Sequence, residues 1–203
     1  VLYETAFRQS GVLSVKSVEE AFDFVKTLSW NPLPDGDRVV VITNGGGAGV
    51  QASDTLADDG VLLSRPPEGF VEEVRKIVPP FASLANPVDL TGMAPEDWYH
   101  RSVRLALQSP DIDAVLVLYC HTALTSPMGV ARAVAKAVEE AGVRKPISVA
   151  IIGGLEAYEA IRYLTNARIP AYPTPERAAH SLAAQIRYRR YREYLVKKVR
   201  APS

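Results

Sequence analysis

The sequence feature that most constrains the fold is a buried strand followed directly by a glycine turn and a helix, within Arg38–Asp59. The β-branched run Val39–Ile42 is typical of a parallel strand that is covered on both faces. Apolar residues at helical spacing after the turn predict a helix that begins near Gly47 and ends before Gly60. The turn reads N-G-G-G-A-G, and we expect its glycines to allow positive φ angles and to leave the main chain uncovered.

This glycine turn has two interpretations. A helix start carries unpaired N–H groups and the positive end of the helix dipole, which together favour an anion. Alternatively, the glycines only permit close packing of the strand against the helix. The order of the glycines is not that of a dinucleotide-binding turn, and no P-loop lysine follows them, so neither of those nucleotide sites is indicated. The candidate anion-binding residues are Asn44, Gly45, Gly46, Gly47, Ala48 and Gly49.

Strands alternate with helices along the rest of the chain, which predicts an α/β fold with a flavodoxin-like, doubly wound parallel sheet. Further strands are predicted over Val61–Ser64, Ala114–Tyr119, Ile147–Ile152 and Ile169–Tyr172. Further helices are predicted over Val1–Gly11, Ser17–Ser29 with Ser17 as N-cap, Glu68–Val78, Pro95–Gln108 with Pro95 at the first position, Pro127–Ala141, Leu155–Ala167 and Pro175–Tyr194. The segment Ala85–Gly92 is predicted to be a loop. We expect residues 1–37 to be a helical linker from a missing upstream domain, and residues 38–203 to be the flavodoxin-like domain with a C-terminal helix.

Composition and charge argue against several classes of protein. Lysine plus arginine equals aspartate plus glutamate at 23 each, so we expect no nucleic-acid partner. The basic, tyrosine-containing segment Ile186–Arg200 is therefore interpreted as a helix that contacts another domain. The single cysteine, Cys120, argues against a disulfide framework and a multi-cysteine metal site, and predicts a cytoplasmic protein. No apolar run approaches the roughly 18 residues of a membrane span, so no membrane partner is expected.

Polar residues and glycines follow several of the predicted strands. In a doubly wound sheet, ligands bind beyond the carboxyl ends of the strands. These ends fall at Asn44–Gly49, Tyr119–Ser126, Gly153–Gly154 and Pro173–Thr174. Their convergence at one edge favours the anion site over close packing alone.

Four motifs in this chain, taken in order, resemble a known family. They are VITNGGGAGVQASDTL, ANPVDLTG, IGG at Ile152–Gly154, and IPAYPTPERAAHSL from Ile169. Together they are similar to the C-terminal flavodoxin-like domain of the nucleoside-diphosphate-forming acyl-CoA synthetases. That family includes ADP-forming acetyl-CoA synthetase and succinyl-CoA synthetase.

The resemblance implies one domain of an acid-thiol ligase. Such an enzyme reversibly converts acyl-CoA, phosphate and ADP to the free acid, CoA and ATP. The whole enzyme is implied to bind CoA, ADP or ATP, and Mg²⁺, whereas this chain alone is implied to bind no cofactor. The helix after the glycine turn is implied to hold a phosphohistidine loop that lies upstream of this chain in the family. The implied partners are a CoA-binding domain that carries the phosphohistidine and an ATP-grasp domain or subunit. Alone, the chain is expected to be an incomplete, inactive part.

Residues outside the turn are predicted to support this site without acting as catalytic groups. Asp89 is expected to brace the glycine loop or to pair with the partner domain, because a carboxylate repels a phosphate. His121 follows a predicted strand at the ligand-binding edge, where it either touches the ligand or is only a neighbour. Cys120 is expected to be a semi-buried packing residue. The supporting set is Asn86, Asp89, His121, Gly153 and Gly154, and no metal ligand is predicted.

A second hypothesis comes from a different class of protein. The same fold also suits a non-catalytic regulatory or scaffold module that binds a partner subunit or a small anion. A flavodoxin-like electron carrier is disfavoured, because no aromatic pair is evident around an expected flavin loop.

Overall fold

The computed structural model describes residues 6, 7 and 10–200, and the helix predicted over Val1–Gly11 lies largely outside these residues. The strands are β1 (Val39–Thr43), β2 (Val88–Asp89), β3 (Ala114–Cys120), β4 (Ile147–Ile152) and β5 (Ala171–Tyr172). The helices are α1 (Val18–Trp30), α2 (Gly46–Asp58), α3 (Glu68–Arg75), α4 (Glu96–Gln108), α5 (Pro127–Ala141), α6 (Leu155–Asn166) and α7 (Pro175–Arg200). None of the described helices combines the length and apolar character needed to cross a membrane.

These strands form a parallel sheet in the order β2-β1-β3-β4-β5. This is the flavodoxin-like order, so the predicted doubly wound fold is confirmed. The chain changes its direction of winding between β1 and β3, and such a switch point is where ligands bind in open α/β sheets. The carboxyl ends of both strands lie there, directly before the glycine turn and before His121.

Strand β1 is buried on both faces, as its β-branched sequence predicts. Val40 and Ile42 pack in a core with helices α3, α4, α5 and α6. Val39 and Val41 point to the opposite face and pack against α2 and α7. The sheet is therefore covered by a layer of helices on each face, and the carboxyl ends of its strands are where the candidate site lies.

The predicted strand over Val61–Ser64 is wrong, and the edge strand β2 lies instead in the segment predicted to be a loop. The physical reason is the side chain of Asn86. Its Oδ1 accepts a hydrogen bond from the N–H of Val41 at 3.0 Å, and its Nδ2 donates to the carbonyl oxygen of Val39 at 2.7 Å. The same Nδ2 donates to the carbonyl of Ser64 at 2.9 Å. A side-chain amide thus takes the main-chain groups of β1 that a strand over Val61–Ser64 would need.

Three helix boundaries also differ from the predictions. Helix α3 ends at Arg75 rather than Val78, and Pro95 is the N-cap of α4 rather than its first residue. Helix α7 continues to Arg200. The predicted N-cap of α1 is confirmed, since Ser17 Oγ accepts a hydrogen bond from the N–H of Glu20 at 3.1 Å.

Charged groups join α1 to the final helix. The guanidinium of Arg177 donates to both carboxylate oxygens of Asp23, at 2.8 and 3.0 Å. His180 lies between the carboxylates of Glu20, on α1, and Asp59, which follows α2. Arg187 binds the other oxygen of Asp59 at 3.0 Å. One cluster therefore ties α1, the end of α2 and α7 together.

The basic side chains of α7 also bind carboxylates within this chain. Arg190 donates from Nε to Asp37 Oδ2 at 3.0 Å, and Arg189 pairs with the same carboxylate. Asp37 belongs to the linker before β1. The first part of the basic segment is thus used to hold the helix against the domain.

The amide of Asn86 gives a test of stability. Replacing Asn86 by Ala should lower the free energy of unfolding by roughly 2–3 kcal/mol, because it leaves the buried N–H of Val41 and carbonyl of Val39 without a partner. Urea unfolding at neutral pH measures the change. The control is Asn166→Ala at the exposed end of α6, which should change the value by less than about 0.5 kcal/mol. Equal stability of the Asn86→Ala and wild-type proteins would contradict this role for the amide.

The His180 cluster predicts a pH dependence of stability. The hydrogen bond to Asp59, and then the one to Glu20, raise the pKa of His180 above its ordinary value of 6.5, against the opposing effects of burial and of Arg187. Because the folded pKa exceeds the unfolded one, this stabilisation is complete below about pH 6.5 and is lost as the pH rises through the folded pKa. His180→Gln should therefore narrow the difference in unfolding free energy between pH 6 and pH 9, measured by urea unfolding. Parallel pH profiles of the two proteins would refute this assignment.

Candidate functional site

The candidate site lies at the switch point between β1 and β3, where the side chain of Asn44 joins the two strands. Its Oδ1 accepts a hydrogen bond from the N–H of Cys120 at 2.7 Å, and its Nδ2 donates to the carbonyl of Cys120 at 2.9 Å. Asn44 is buried, so its side chain braces the sheet. Only its main chain belongs to the glycine turn.

Two glycines of the turn, Gly45 and Gly49, are explained by close approach, and none of the turn glycines has a positive φ angle, which corrects the expectation from the sequence. Gly45 has a φ of −138°, and the glycines with positive φ in the described residues are Gly11, Gly60 and Gly142. A Cβ on Gly45 would lie 2.7 Å from the Sγ of Cys120, and a Cβ on Gly49 would lie 3.1 Å from Pro87. A side chain at Gly45 would require a shift of Cys120 or of the turn, and one at Gly49 would crowd Pro87.

The first turn of α2 presents unpaired hydrogen-bond donors. The helix begins at Gly46, and its N-cap, Gly45, has no side chain to cap it. The first intrahelical bond runs from the N–H of Gly49 to the carbonyl of Gly45 at 3.1 Å. Among the described residues, the N–H groups of Gly46, Gly47 and Ala48 have no acceptor, and both glycines are exposed. This end of α2 therefore offers main-chain donors and the positive end of a helix dipole.

A carboxylate lies beside these donors. Asp89 Oδ1 accepts a hydrogen bond from the N–H of Thr91 at 2.8 Å. Asp89 Oδ2 lies 3.3 Å from the place that a Cβ on Gly46 would occupy. By contrast, a Cβ on Gly47 would meet no atom within 4 Å. The open space at the helix start is thus on the Gly47 side, away from the negative charge.

The thiol of Cys120, which lies beside the glycine turn, adds no negative charge at neutral pH. Burial, followed by the carboxylate of Asp89, raises the pKa of the Cys120 thiol above its ordinary value.

Thr91 has a φ of 74°, a strained value for a β-branched residue, and its buried hydroxyl has no hydrogen-bond partner among the described residues. Sequence reasoning missed Thr91, because threonine before glycine is an ordinary pattern at the end of a loop.

His121, Gly153 and Gly154 form a second group at the same edge of the sheet. The N–H of His121 donates to the carbonyl of Ile152 at 2.9 Å, and a Cβ on Gly153 would lie 2.9 Å from the Cβ of His121. His121 Nε2 lies 3.5 Å from a carboxylate oxygen of Glu156 in the first turn of α6. Gly154 is the N-cap of α6. This group is linked to the glycine turn through Cys120, which precedes His121 and contacts Gly45.

The structure therefore brings together most, but not all, of the predicted site residues. Asp89 lies beside the turn from Asn44 to Gly49, and His121 lies one residue beyond Cys120. The side chain of Asn86 lies further back along β1, on Val39 and Val41, away from the glycine turn. In the described part of the chain, no three His, Cys, Asp or Glu side chains are grouped to hold a metal ion.

Comparison with known proteins identifies the relatives of this chain. The sequence pattern of the Ligase-CoA domain family matches residues 39–196. The alpha subunit of acetate–CoA ligase [ADP-forming] I from Pyrococcus furiosus is 45% identical over 194 residues, which are 94% of this chain and 41% of that subunit. The acetate–CoA ligase [ADP-forming] of Methanocaldococcus jannaschii is 30% identical over 93% of this chain and 27% of its own length. The chain thus spans less than half the length of these relatives.

A solved structure gives the same assignment. Acetyl-coenzyme A synthetase 1 from Candidatus Korarchaeum cryptofilum, described as dinucleotide-forming and solved in complex with phosphate and ADP, is 55% identical with a TM-score of 0.97. The match covers 99% of this chain and 43% of that one. The resemblance to the nucleoside-diphosphate-forming acyl-CoA synthetases is confirmed by these relatives. This chain belongs to the Ligase-CoA domain family.

Proposed function

We propose that this chain is one domain of an ADP-forming acyl-CoA synthetase, with acetyl-CoA as the simplest substrate, and that the start of α2 helps to hold the phosphohistidine loop. The observation that carries the proposal is the set of free N–H groups on Gly46, Gly47 and Ala48 at the switch point of the sheet. The whole enzyme would convert acyl-CoA, phosphate and ADP to the acid, CoA and ATP, reversibly.

The chemistry of phosphoryl transfer suits such a site. A transferred phosphoryl group needs positioning and stabilisation of the charge on its oxygens more than it needs side-chain reactions. Main-chain donors fixed at the start of a helix give both without reorganising when the group arrives. The close packing of Gly45 against Cys120 and of Gly49 against Pro87 fixes the direction of these donors.

Asp89 determines where an anion sits at this helix start. Its carboxylate lies beside Gly46, so a phosphoryl group is repelled from that side. The space beside Gly47 is open, and the anion is expected there. Asp89 itself would stabilise the helix dipole and the turn at Thr91 in the absence of the loop.

The other components of the reaction belong to other parts of the ligase. We propose that CoA is bound by a CoA-binding domain that also carries the phosphohistidine, and that ADP or ATP with Mg²⁺ is bound by an ATP-grasp domain or subunit. Residues 1–37 would connect the domain of residues 38–203 to this upstream part. Support comes from the relatives, of which the chain covers less than half.

The proposal is tested in a full-length chimera, in which this chain replaces the matching segment of the Pyrococcus furiosus alpha subunit and is purified with its partner subunit. Gly47→Asp places a carboxylate at the expected anion position, and should lower ATP formation from acetyl-CoA, ADP and labelled phosphate by roughly 100-fold. The thermal stability of the variant should not fall, because an acidic residue in the first turn favours a helix.

Gly47→Ala is the matched control, since a methyl group at this position meets no other atom within 4 Å. It should retain ATP formation within about threefold, because the main-chain donors stay in place. Full activity of Gly47→Asp would count against the anion site. If the enzyme still forms ATP after this segment is deleted, the result would instead support the non-catalytic module.

A further inference from the structure

Most of the apolar surface of helix α1 faces away from the domain, because its buried side is largely polar. Phe24 and Thr27 are buried against the domain. On the opposite side Val18, Phe22 and Val25 are 74%, 72% and 63% exposed. Their spacing of four and three residues places them on one stripe of the helix. An exposed stripe of this kind is typical of an interaction surface.

Two shallow grooves extend this stripe into a continuous surface. The first, of about 540 Å³, runs beside Val18, Ala21, Phe22 and Val25 and begins at Val15. The second, of about 590 Å³, lies between α1 and α7 and is lined by Leu13, Val25, Leu28, Ser29, Leu33, Tyr188 and Arg192. Because Val25 lines both grooves, they form one surface, which we call the α1 surface.

The charges on the α1 surface have one sign. Its two charged lining residues are Lys16, in the first groove, and Arg192, in the second. The nearby carboxylates of Glu20 and Glu193 are already bound by His180 and Arg189. A matching partner therefore presents an apolar ridge with carboxylates beside it.

The relatives indicate what covers this surface. Helix α1 lies outside residues 39–196, the extent of the Ligase-CoA domain pattern. The match to the Korarchaeum synthetase nevertheless covers 99% of this chain and so includes α1. It covers only 43% of the synthetase, which is much longer. Helix α1 is bound to the domain by polar contacts on one side and leaves an apolar stripe exposed on the other. Such a helix, when it is shared with a much longer enzyme, fits a position between two domains.

We infer that the α1 surface is an interdomain docking surface, covered in the assembled ligase by an apolar ridge with flanking carboxylates on another domain of the same enzyme. The inference rests on the proposed function, because it requires that this chain is part of a larger ligase. It does not depend on the anion site, since the α1 surface and the glycine turn share no residue.

The test measures how fast maleimide labels Phe22→Cys in the isolated chain and in the full-length chimera. Labelling should be fast in the isolated chain, where this side chain is 72% exposed, and about tenfold or more slower in the chimera. The control is Leu62→Cys, because Leu62 is 78% exposed and lines neither groove. Its rate should be the same in both proteins. Peptide mass spectrometry separates position 22 from the native Cys120.

A further variant tests the charges of the partner. Lys16→Glu combined with Arg192→Glu reverses both charges of the α1 surface, and should raise the labelling rate of Phe22→Cys in the chimera severalfold at low salt. An unchanged labelling rate would contradict the inference that the partner domain carries carboxylates beside its apolar ridge.

Two results would overturn the docking surface itself. The first is equal labelling of Phe22→Cys in the isolated chain and the chimera. The second is slow labelling of the isolated chain that becomes fast on dilution, which would assign the α1 surface to a second copy of this chain. ATP formation by the chimera is measured in parallel. An active chimera with position 22 exposed contradicts the docking surface alone. A chimera in which position 22 is protected but Gly47→Asp leaves ATP formation unchanged contradicts the anion site alone.

Discussion

The pair of hydrogen bonds between the side chain of Asn44 and the main chain of Cys120 holds the site together. They continue the pairing of β1 and β3 by one step beyond the last main-chain pair, Thr43 with Leu118. At the switch point of a doubly wound sheet the following segments diverge to opposite faces, so the two strand ends would otherwise be free to separate. With the strand ends fixed, Gly45 meets Cys120 and the start of α2 acquires a defined position. The direction of the free N–H groups follows from this one contact.

Much of the fold follows from patterns that the sequence shows directly. The β-branched run of β1, the alternation of strands with helices and the cap at Ser17 all reflect local or periodic preferences, and the structure confirms them. The identity of the edge strand next to β1 was not predictable in this way. Val61–Ser64 has the composition of a strand, but a single amide, 22 residues away from Ser64 in the sequence, takes its place on β1. Side-chain groups that replace main-chain pairs leave no periodic signal.

The position of the candidate site was predictable from the sequence, but the structural reason for its glycines was not. The glycine turn, Asp89 and His121 lie at the predicted edge of the sheet, because the carboxyl ends of parallel strands must meet there. The reason for the glycines was different from the one expected. Close approach of Cys120 to Gly45 and of Pro87 to Gly49, and not positive φ, disfavours side chains at these two positions, and such contacts depend on residues far away in the sequence. For the same reason the strained conformation of Thr91 could not be foreseen.

Helix α2 is held at both ends, and this gives it a further property. At its far end Asp59 is bound by His180 and Arg187, in the same cluster that contacts α1. At its near end, Gly45 and Gly49 fit against Cys120 and Pro87. A helix of 13 residues spans about 20 Å and hardly changes its length. An anion bound at Gly47, as proposed, would therefore lie at a fixed distance from the charged cluster at Asp59 that joins α2 to α1 and α7.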